Sequence, residues 1–105
     1  MDRPIIELRK PERLPEYLHW VRMQQSVIGG CCPCDAHHII DVGAGGSKPT
    51  DLWTFPLTRD EHSELHHHGA RSWEAHHGTQ WQFVAKTLTH AILEGMFYHT
   101  RPGDE

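Results

Sequence analysis

The chain lacks long apolar segments and any excess of positive charge. No stretch of its 105 residues approaches the roughly 18 consecutive apolar side chains of a membrane-spanning helix. The segment MDRPIIELRKPERLP also lacks the apolar core and small-residue cleavage site of a secretory signal, so the sequence predicts a cytosolic protein without a membrane partner. With a formal net charge of −4, nucleic-acid binding would require local Lys and Arg, a bound cation or a partner.

Cysteine is also scarce, and its placement argues against a secreted protein. Cys31, Cys32 and Cys34 crowd into four positions and are odd in number, which does not suit a disulfide framework. Cys31 and Cys34 form a C-x-x-C pair, but the chain has no second pair to complete a four-thiolate zinc site. We expect free thiols, while a zinc site completed by histidines and a redox-active pair stay open as alternatives.

The length allows one small domain, and the first half of the chain predicts its strands. Residues 1–13 are expected to form an extended arm. Apolar residues at helical spacing then predict a helix over 15–25. They are Leu14, Tyr17, Leu18 and Val21. The segments AHHIIDV and DLWTFPL have the composition of two short strands, the second ended by Pro56, and the stretch GAGGSKP between them predicts a loop.

The second half of the chain predicts three helices. Thr58 and Glu61 have the capping-box pattern, so a helix should run over 58–68 and end at Gly69. The segment RSWEAHHG predicts a short helix that its glycine ends. A long amphipathic helix over 79–97 should follow, and then a frayed tail. Its predicted buried face comprises Trp81, Val84, Leu88, Ala91 and Ile92.

Histidine is the residue in excess, with eleven copies. His62 and His66 lie four residues apart on a predicted helix and share one face, a spacing that suits two imidazoles binding one metal ion. When strand and helix fold together, a histidine of the His37–His38 pair would add a third ligand and leave open positions for water, as in catalytic sites. The fourth histidine would then be a candidate base. A buried hydrogen-bonded cluster or adventitious metal binding is the alternative.

The run DAHHIIDVGAGGSKPTDLWTFPLTRDEHSELH resembles the HNH nucleases of phages and prophages, also called His-Me finger or ββα-metal nucleases. Their pattern is A-H-H-I, a Gly-rich loop with G-G and K, D a few residues on, and P-L-C-x-x-H-H-x-E-L-H. The flanking segments YLHWVR and GARSWEAHHG match as well, so the resemblance covers roughly residues 17–80. A member that acts with a recombinase, together with related small prophage proteins, is the most similar, so a recombinase is a partner that the resemblance alone implies. The resemblance implies an α+β fold with an HNH core over 26–68 and C-terminal helices over 70–97.

The same resemblance implies a role for each core histidine. His37, His62 and His66 would bind one divalent cation, and His38 would be the general base that activates water. By ligand preference the three imidazoles would hold Zn²⁺ or Ni²⁺ tightly, while Mg²⁺ or Mn²⁺ would support turnover. The reaction implied is hydrolysis of phosphodiester bonds in DNA.

The resemblance also bears on residues around the histidines. The family's middle residue, usually Asn, braces the loop and orients the base. Counting back from the helix places it at Trp53, whereas the chemistry favours Asp51. Lys48 and Arg59 are candidates for contact with phosphate, although exposed basic residues beside a loop are usually only solvated.

The chain departs from its relatives at a second, structural zinc site. Many relatives hold this ion with a Cys-x-x-Cys pair before A-H-H-I and with the Cys and His of P-L-C-x-x-H. Ungapped alignment replaces all four ligands together. The positions are Ser26, Gly29, Thr58 and Glu61. We therefore expect no structural zinc, and hydrogen bonding and packing in its place.

The remaining histidines and the tryptophans have simpler interpretations. Four histidines should mostly be solvent-exposed, namely His67, His68, His76 and His77. Three others have no partner that the sequence identifies, namely His19, His90 and His99. The tryptophans sit within apolar stripes and should belong to the core rather than form base-stacking platforms. They are Trp20, Trp53, Trp73 and Trp81.

Two other functions stay open. A metal-stabilised DNA-binding or recombination-accessory module with weak or absent cleavage would agree with the acidic balance and the missing zinc ligands. A histidine-rich metal-buffering protein is the third interpretation, and it predicts several ions per chain rather than one.

Overall fold

The computed structural model describes residues 13–40 and 49–97. Within these ranges the chain is a mixed α+β fold with one two-stranded sheet and four helices. The elements, in chain order, are α1 (Pro15–Arg22), β1 (Asp35–His38), β2 (Thr54–Leu57), α2 (Arg59–His68), α3 (Ala70–His77) and α4 (Gln80–Leu93). None of these helices is both long enough and apolar enough to cross a bilayer. The predicted tail, and the predicted arm apart from Arg13, lie outside the described residues.

β1 and β2 form an antiparallel ribbon against which α1, α2 and α4 pack. Ala36 pairs with Pro56 and His37 with Phe55. We expected Pro56 to end the second strand, which is wrong, because it lies inside β2. Each strand of a two-stranded ribbon has an unpaired edge, so the missing N–H of proline removes no ladder hydrogen bond there. On that edge the Pro56 carbonyl accepts a hydrogen bond from Val27 N at 3.1 Å.

α2 and α3 begin within one residue of their predicted positions and end as predicted. Thr58 is the N-cap of α2: its Oγ1 accepts from Glu61 N at 3.2 Å, and Glu61 Oε1 accepts from Thr58 N at 2.9 Å. The capping box is therefore confirmed. Gly69 and Gly78 follow the two helices with φ of 87° and 116°, a conformation that side chains with a Cβ disfavour.

Four elements are shorter than predicted. β1 ends at His38, and β2 begins at Thr54 rather than at Asp51. α1 ends at Arg22 rather than near residue 25, and α4 ends at Leu93 rather than at residue 97. After both helices, backbone amides bond to carbonyls three residues back and tighten the last turn. Gly95, with φ of 78°, then takes the left-handed conformation that stops α4.

The main core lies between the ribbon and the helices α2, α3 and α4. Its buried members are Ile39, Phe55, Leu57, Leu65, Trp73, Phe83 and Val84. A smaller cluster of Tyr17, Val21 and Ala91 joins α1 to α4. The predicted buried face of α4 is correct for Val84 and Ala91 but wrong for Trp81 and Ile92, which are 46% and 61% exposed. Instead α4 turns the polar side chain of Gln80 inward.

Three of the four positions where we expected hydrogen bonding in place of a structural zinc ion lie together and are joined by hydrogen bonds. Ser26 Oγ donates to Glu61 Oε1 at 2.5 Å and accepts from Ile28 N at 2.9 Å. Beside them Gly30 lies so close to α2 that an added Cβ would be 2.6 Å from Thr58 Cγ2. Polar contacts between protein groups thus hold the segment before β1 against the N-terminus of α2.

We expect Glu61→Ala to lower the free energy of unfolding by about 1–3 kcal/mol, because it removes one half of a capping box and the acceptor of a buried serine hydroxyl. Urea denaturation measures the change. Glu64→Ala on an exposed position of the same helix is the matched control, and an equal loss in both variants would contradict the role given to Glu61.

Candidate metal centre

Three imidazoles from two elements meet beside the ribbon. His37 comes from β1, and His62 and His66 lie one turn apart on α2. Each offers one ring nitrogen, and these nitrogens all lie within 4.8 Å of one another. His62 Nε2 and His66 Nε2 are 3.1 Å apart. The structure thus brings together the three predicted metal ligands, and it assembles no other such group within residues 13–40 and 49–97.

His37 is buried, and Gln80 determines which of its nitrogens is free. His37 Nε2 lies 2.9 Å from Gln80 Oε1. The same oxygen accepts from Ile40 N at 3.1 Å, while Gln80 Nε2 donates to Ile40 O at 2.8 Å. The backbone of Ile40 therefore fixes the orientation of the amide. Because the amide oxygen faces His37, Nε2 carries the proton and Nδ1 keeps its lone pair.

A carboxylate fixes the tautomer of His62 in a similar way. Asp35 Oδ2 lies 2.9 Å from His62 Nδ1. Nδ1–H therefore donates, and Nε2, which faces His66, keeps the lone pair. Hydrogen-bond partners of this kind orient histidines that bind metals. His66 itself is exposed, so solvent reaches the group from that side.

The three imidazoles are suited to bind one small cation. Removal from water lowers the pKa of His37 to about 4, with the hydrogen bond to Gln80 acting against the shift and the neighbouring histidines adding to it. His37 is therefore neutral at physiological pH, which is the form that binds metals. A tetrahedral ion with bonds of about 2.0–2.1 Å has ligand nitrogens about 3.4 Å apart, so only small side-chain movements are needed.

His38, the next residue of β1, is held by Asp51. His38 Nε2 lies 2.7 Å from Asp51 Oδ1, and Asp51 Oδ2 accepts from Leu14 N at 2.7 Å. Burial alone would raise the pKa of Asp51, but hydrogen bonds with His38 and Leu14, helped by nearby positive charge, hold this pKa below its ordinary value. The ionised carboxylate accepts the Nε2 proton of His38, which leaves Nδ1 with the lone pair.

The structure distinguishes the two residues considered as partners of His38. Asp51 contacts His38 directly. Trp53 has other partners: its carbonyl accepts a hydrogen bond from Ile39 N at 3.1 Å, and its ring packs edge-on against Trp81. Of the two residues, Asp51 is therefore the one that is bonded to His38, and its role stays a prediction.

Of the two residues predicted to contact phosphate, the structure describes only Arg59. Lys48 lies outside the described residues. Arg59 has a side chain that is 82% exposed, with Nε 3.3 Å from Asp35 Oδ2. One carboxylate therefore contacts both Arg59 and the candidate ligand His62, which places the guanidinium at the rim of the histidine group.

The cysteines do not join this group. Cys31 and Cys32 are exposed and Cys34 is buried, and all three thiols are free. Burial, with the negative charge of Glu61 as a secondary cause, raises the pKa of the Cys34 thiol to about 11. Cys34 is therefore protonated and unreactive at neutral pH.

Most of the other described histidines are placed as predicted. His67, His68, His76 and His77 are exposed. For His90, whose partner the sequence did not identify, the structure gives two: its Nε2 lies 2.5 Å from Glu94 Oε2, and its ring packs edge-on against Trp20. Among the tryptophans, Trp73 is buried as predicted, Trp20 and Trp53 are half-buried, and Trp81 is exposed.

Asp35 and Gln80 are the site residues that sequence reasoning missed. Asp35 stands two positions before His37 and so on the same face of the strand, a local signal that was available. Gln80 is 43 residues from His37 along the chain. No local pattern marks it, because only the packing of α4 against the ribbon brings its amide to β1.

Comparison with known sequences assigns a family. Residues 1–95 match the family described as "Protein of unknown function (DUF968)". The chain belongs to this family. It is also similar to "Uncharacterized protein YdfU" of Escherichia coli (strain K12), with 32% identity over 83 residues, which are 77% of this chain and 24% of that relative. The chain thus spans about a quarter of the relative's length. No solved structure matches. Because neither description states an activity, function has to be argued from the site.

We expect the purified chain to bind one Zn²⁺ or Ni²⁺ ion in isothermal titration calorimetry, and His66→Ala to weaken this binding by more than about tenfold. His66 is exposed, so the substitution removes a ligand without opening the core. His67→Ala, at the next and equally exposed position, should bind normally. Several ions per chain, with equal binding by both variants, would instead indicate metal buffering.

Proposed function

We propose that the chain is a metal-dependent HNH endonuclease that hydrolyses phosphodiester bonds in DNA. The observation that carries the proposal is the division of two roles between adjacent residues of β1. His37 belongs to a group of three imidazoles with His62 and His66, while His38 is held by Asp51 with one ring nitrogen left free. The order β1, β2, α2 also agrees with the ββα-metal core that the sequence resembles.

The residues present fit a divalent cation. When bound by His37, His62 and His66, such an ion would supply Lewis acidity, holding a phosphate oxygen and neutralising charge on the leaving 3′ oxygen. Asp35 and Gln80 keep two of these rings in the tautomers that can bind. Three protein ligands leave positions for water and substrate, and imidazole ligands favour Zn²⁺ or Ni²⁺ in affinity.

His38 takes the proton of the attacking water. Its Nε2–H is directed to Asp51, so Nδ1 is the atom that accepts the proton. The ionised carboxylate then stabilises the imidazolium, as the carboxylate behind a catalytic histidine does in other hydrolases. The His38 side chain is 18% exposed, which allows water to reach it.

Arg59 provides positive charge at the rim of the site. Its ion pair with Asp35 involves a side chain that is mostly exposed, and such pairs contribute little to stability. The guanidinium can therefore leave Asp35 for a phosphate of the DNA at small cost, and its planar fork suits that group. The same role is proposed for Lys48 from the sequence alone.

We expect the chain to nick supercoiled plasmid DNA when Mg²⁺, Mn²⁺, Ni²⁺ or Zn²⁺ is added, and His38→Ala to lower the rate by roughly 10²–10⁴-fold because it removes the general base. Conversion of supercoiled to open-circular DNA on agarose gels measures the rate. Metal affinity should be unchanged, because His38 is not a ligand.

The exposed His19→Ala variant is the matched control and should cut normally. Cutting that survives EDTA, or equal cutting by His38→Ala, would refute the assignment. Unchanged DNA binding without cutting under any of the four cations would favour the binding-module interpretation.

We expect Asp51→Asn to invert the tautomer of His38. The amide of Leu14 needs an acceptor, so the new side chain would turn its oxygen towards Leu14 N and its NH₂ group towards His38 Nε2. An NH₂ group can only donate, so the His38 proton would move to Nδ1 and the base would be lost. The kcat of nicking should fall by at least about tenfold with little change in KM.

Long-range ¹H–¹⁵N correlation spectra report the tautomer directly and do not depend on activity. Asp60→Asn at an exposed position of α2 is the control. An Nε2–H tautomer in the Asp51→Asn protein, with a normal rate, would show that Asp51 does not position the base.

A further inference from the structure

A cleft of about 460 Å³ adjoins the candidate metal centre and has no part in the mechanism above. It lies between α3 and the start of α4, and its lining includes Ile40, Arg71, Glu74, Gln80 and Trp81. Gln80 connects the two places, because its side chain is bonded to His37. Ile40 follows His37 by three residues, so their Cα atoms are at most about 11 Å apart.

Trp81 gives this cleft an exposed aromatic surface. The residue is 46% exposed, whereas tryptophan side chains are on average highly buried. Its ring is not loose: it packs edge-on against Trp53, with centroids 4.9 Å apart and planes at 75°. A fixed and exposed indole is a suitable platform for a nucleobase, which can stack on it whatever the base identity.

Arg71 gives the same cleft a positive charge. The residue is exposed, and its guanidinium makes no ion pair or hydrogen bond within the part of the chain that the structure describes. A guanidinium that is not engaged by a carboxylate is available for a phosphate.

Glu74, the acidic residue of the cleft lining, does not neutralise the charge of Arg71. Glu74 Oε2 accepts a hydrogen bond from Gln80 N at 2.7 Å, so its carboxylate is bound at the first turn of α4. There the partial positive charge of the helix N-terminus compensates it. The cleft therefore presents one apolar ring and one cation to a ligand.

We propose that this cleft binds an unpaired stretch of DNA next to the cleavage position, with a base stacked on Trp81 and a phosphate on Arg71. The inference rests on the proposed nuclease function and adds a substrate class to it. Single strands are favoured because a base inside a duplex is already stacked on both faces and cannot offer one to Trp81.

The test is fluorescence anisotropy with a labelled 15-nucleotide oligo-dT and a duplex of equal length, in EDTA so that neither cleavage nor a bound metal contributes. We expect the single strand to bind more tightly than the duplex. Trp81→Ala should weaken single-strand binding by about tenfold, the equivalent of one lost stacking contact, while Trp81→Phe should retain most of it. Ile92→Ala, at another exposed apolar position of α4, should bind normally.

Salt dependence tests the second contact. Arg71→Ala should weaken binding and reduce the slope of log K against log salt by about 0.7, the loss of one phosphate contact on a single strand, whereas Lys86→Ala outside the cleft should not. Circular dichroism melting of each variant verifies folding. Duplex binding that equals single-strand binding, or full binding by Trp81→Ala, would overturn the inference, and metal-dependent nicking could then still stand. Binding that depends on Trp81 in a protein that never cuts would refute the nuclease and leave this inference in place.

Discussion

A buried imidazole that is to bind a metal needs a hydrogen-bond partner for one ring nitrogen while the lone pair of the other nitrogen stays free. Gln80 provides that partner for His37. His37 is 1% exposed, and an unpaired polar atom at that depth would cost about 1–3 kcal/mol. Gln80 reaches it from the start of α4 and is fixed in turn by both backbone groups of Ile40. The orientation of the His37 ring and the position of α4 are therefore set together. Trp81, the neighbour of Gln80 on α4, is by contrast 46% exposed.

The partners of the two strand histidines differ in a way that agrees with their proposed roles. His37 is hydrogen-bonded to the neutral amide of Gln80, which fixes the orientation of the ring and adds no negative charge that would favour its protonation. Behind His38 stands the ionised Asp51, which stabilises the imidazolium formed when a base takes a proton. A ligand has to stay neutral and a base has to become charged. Adjacent residues of one type thus acquire different chemistry from the groups behind them.

Local sequence signals account for the parts of the fold that were predicted correctly. The capping box that begins α2 at Thr58, and the spacing that puts His62 and His66 on one face, depend only on residues within a turn or two. Apolar periodicity failed for Trp81, since the buried face of α4 includes the polar Gln80, whose hydrogen bond with His37 spans 43 residues. The choice of Asp51 over Trp53 likewise required the folded ribbon, because counted register and chemical preference disagreed.

The pairing of β1 with β2 limits how this segment can change in length. Side chains alternate between the two faces of a strand, so a shift of one residue exchanges those faces. In the observed register His37 lies opposite Phe55 and His38 lies opposite Thr54. Because both strand residues are histidines, a ribbon shifted by one residue would still present one histidine on each face. The hydrogen-bond partners Gln80 and Asp51 would not shift with β1, because they belong to other segments of the chain. A shift of one residue in this pairing would therefore leave an imidazole at only one of the two positions, beside Gln80 or beside Asp51, and the other position would receive Ile39 or Ala36.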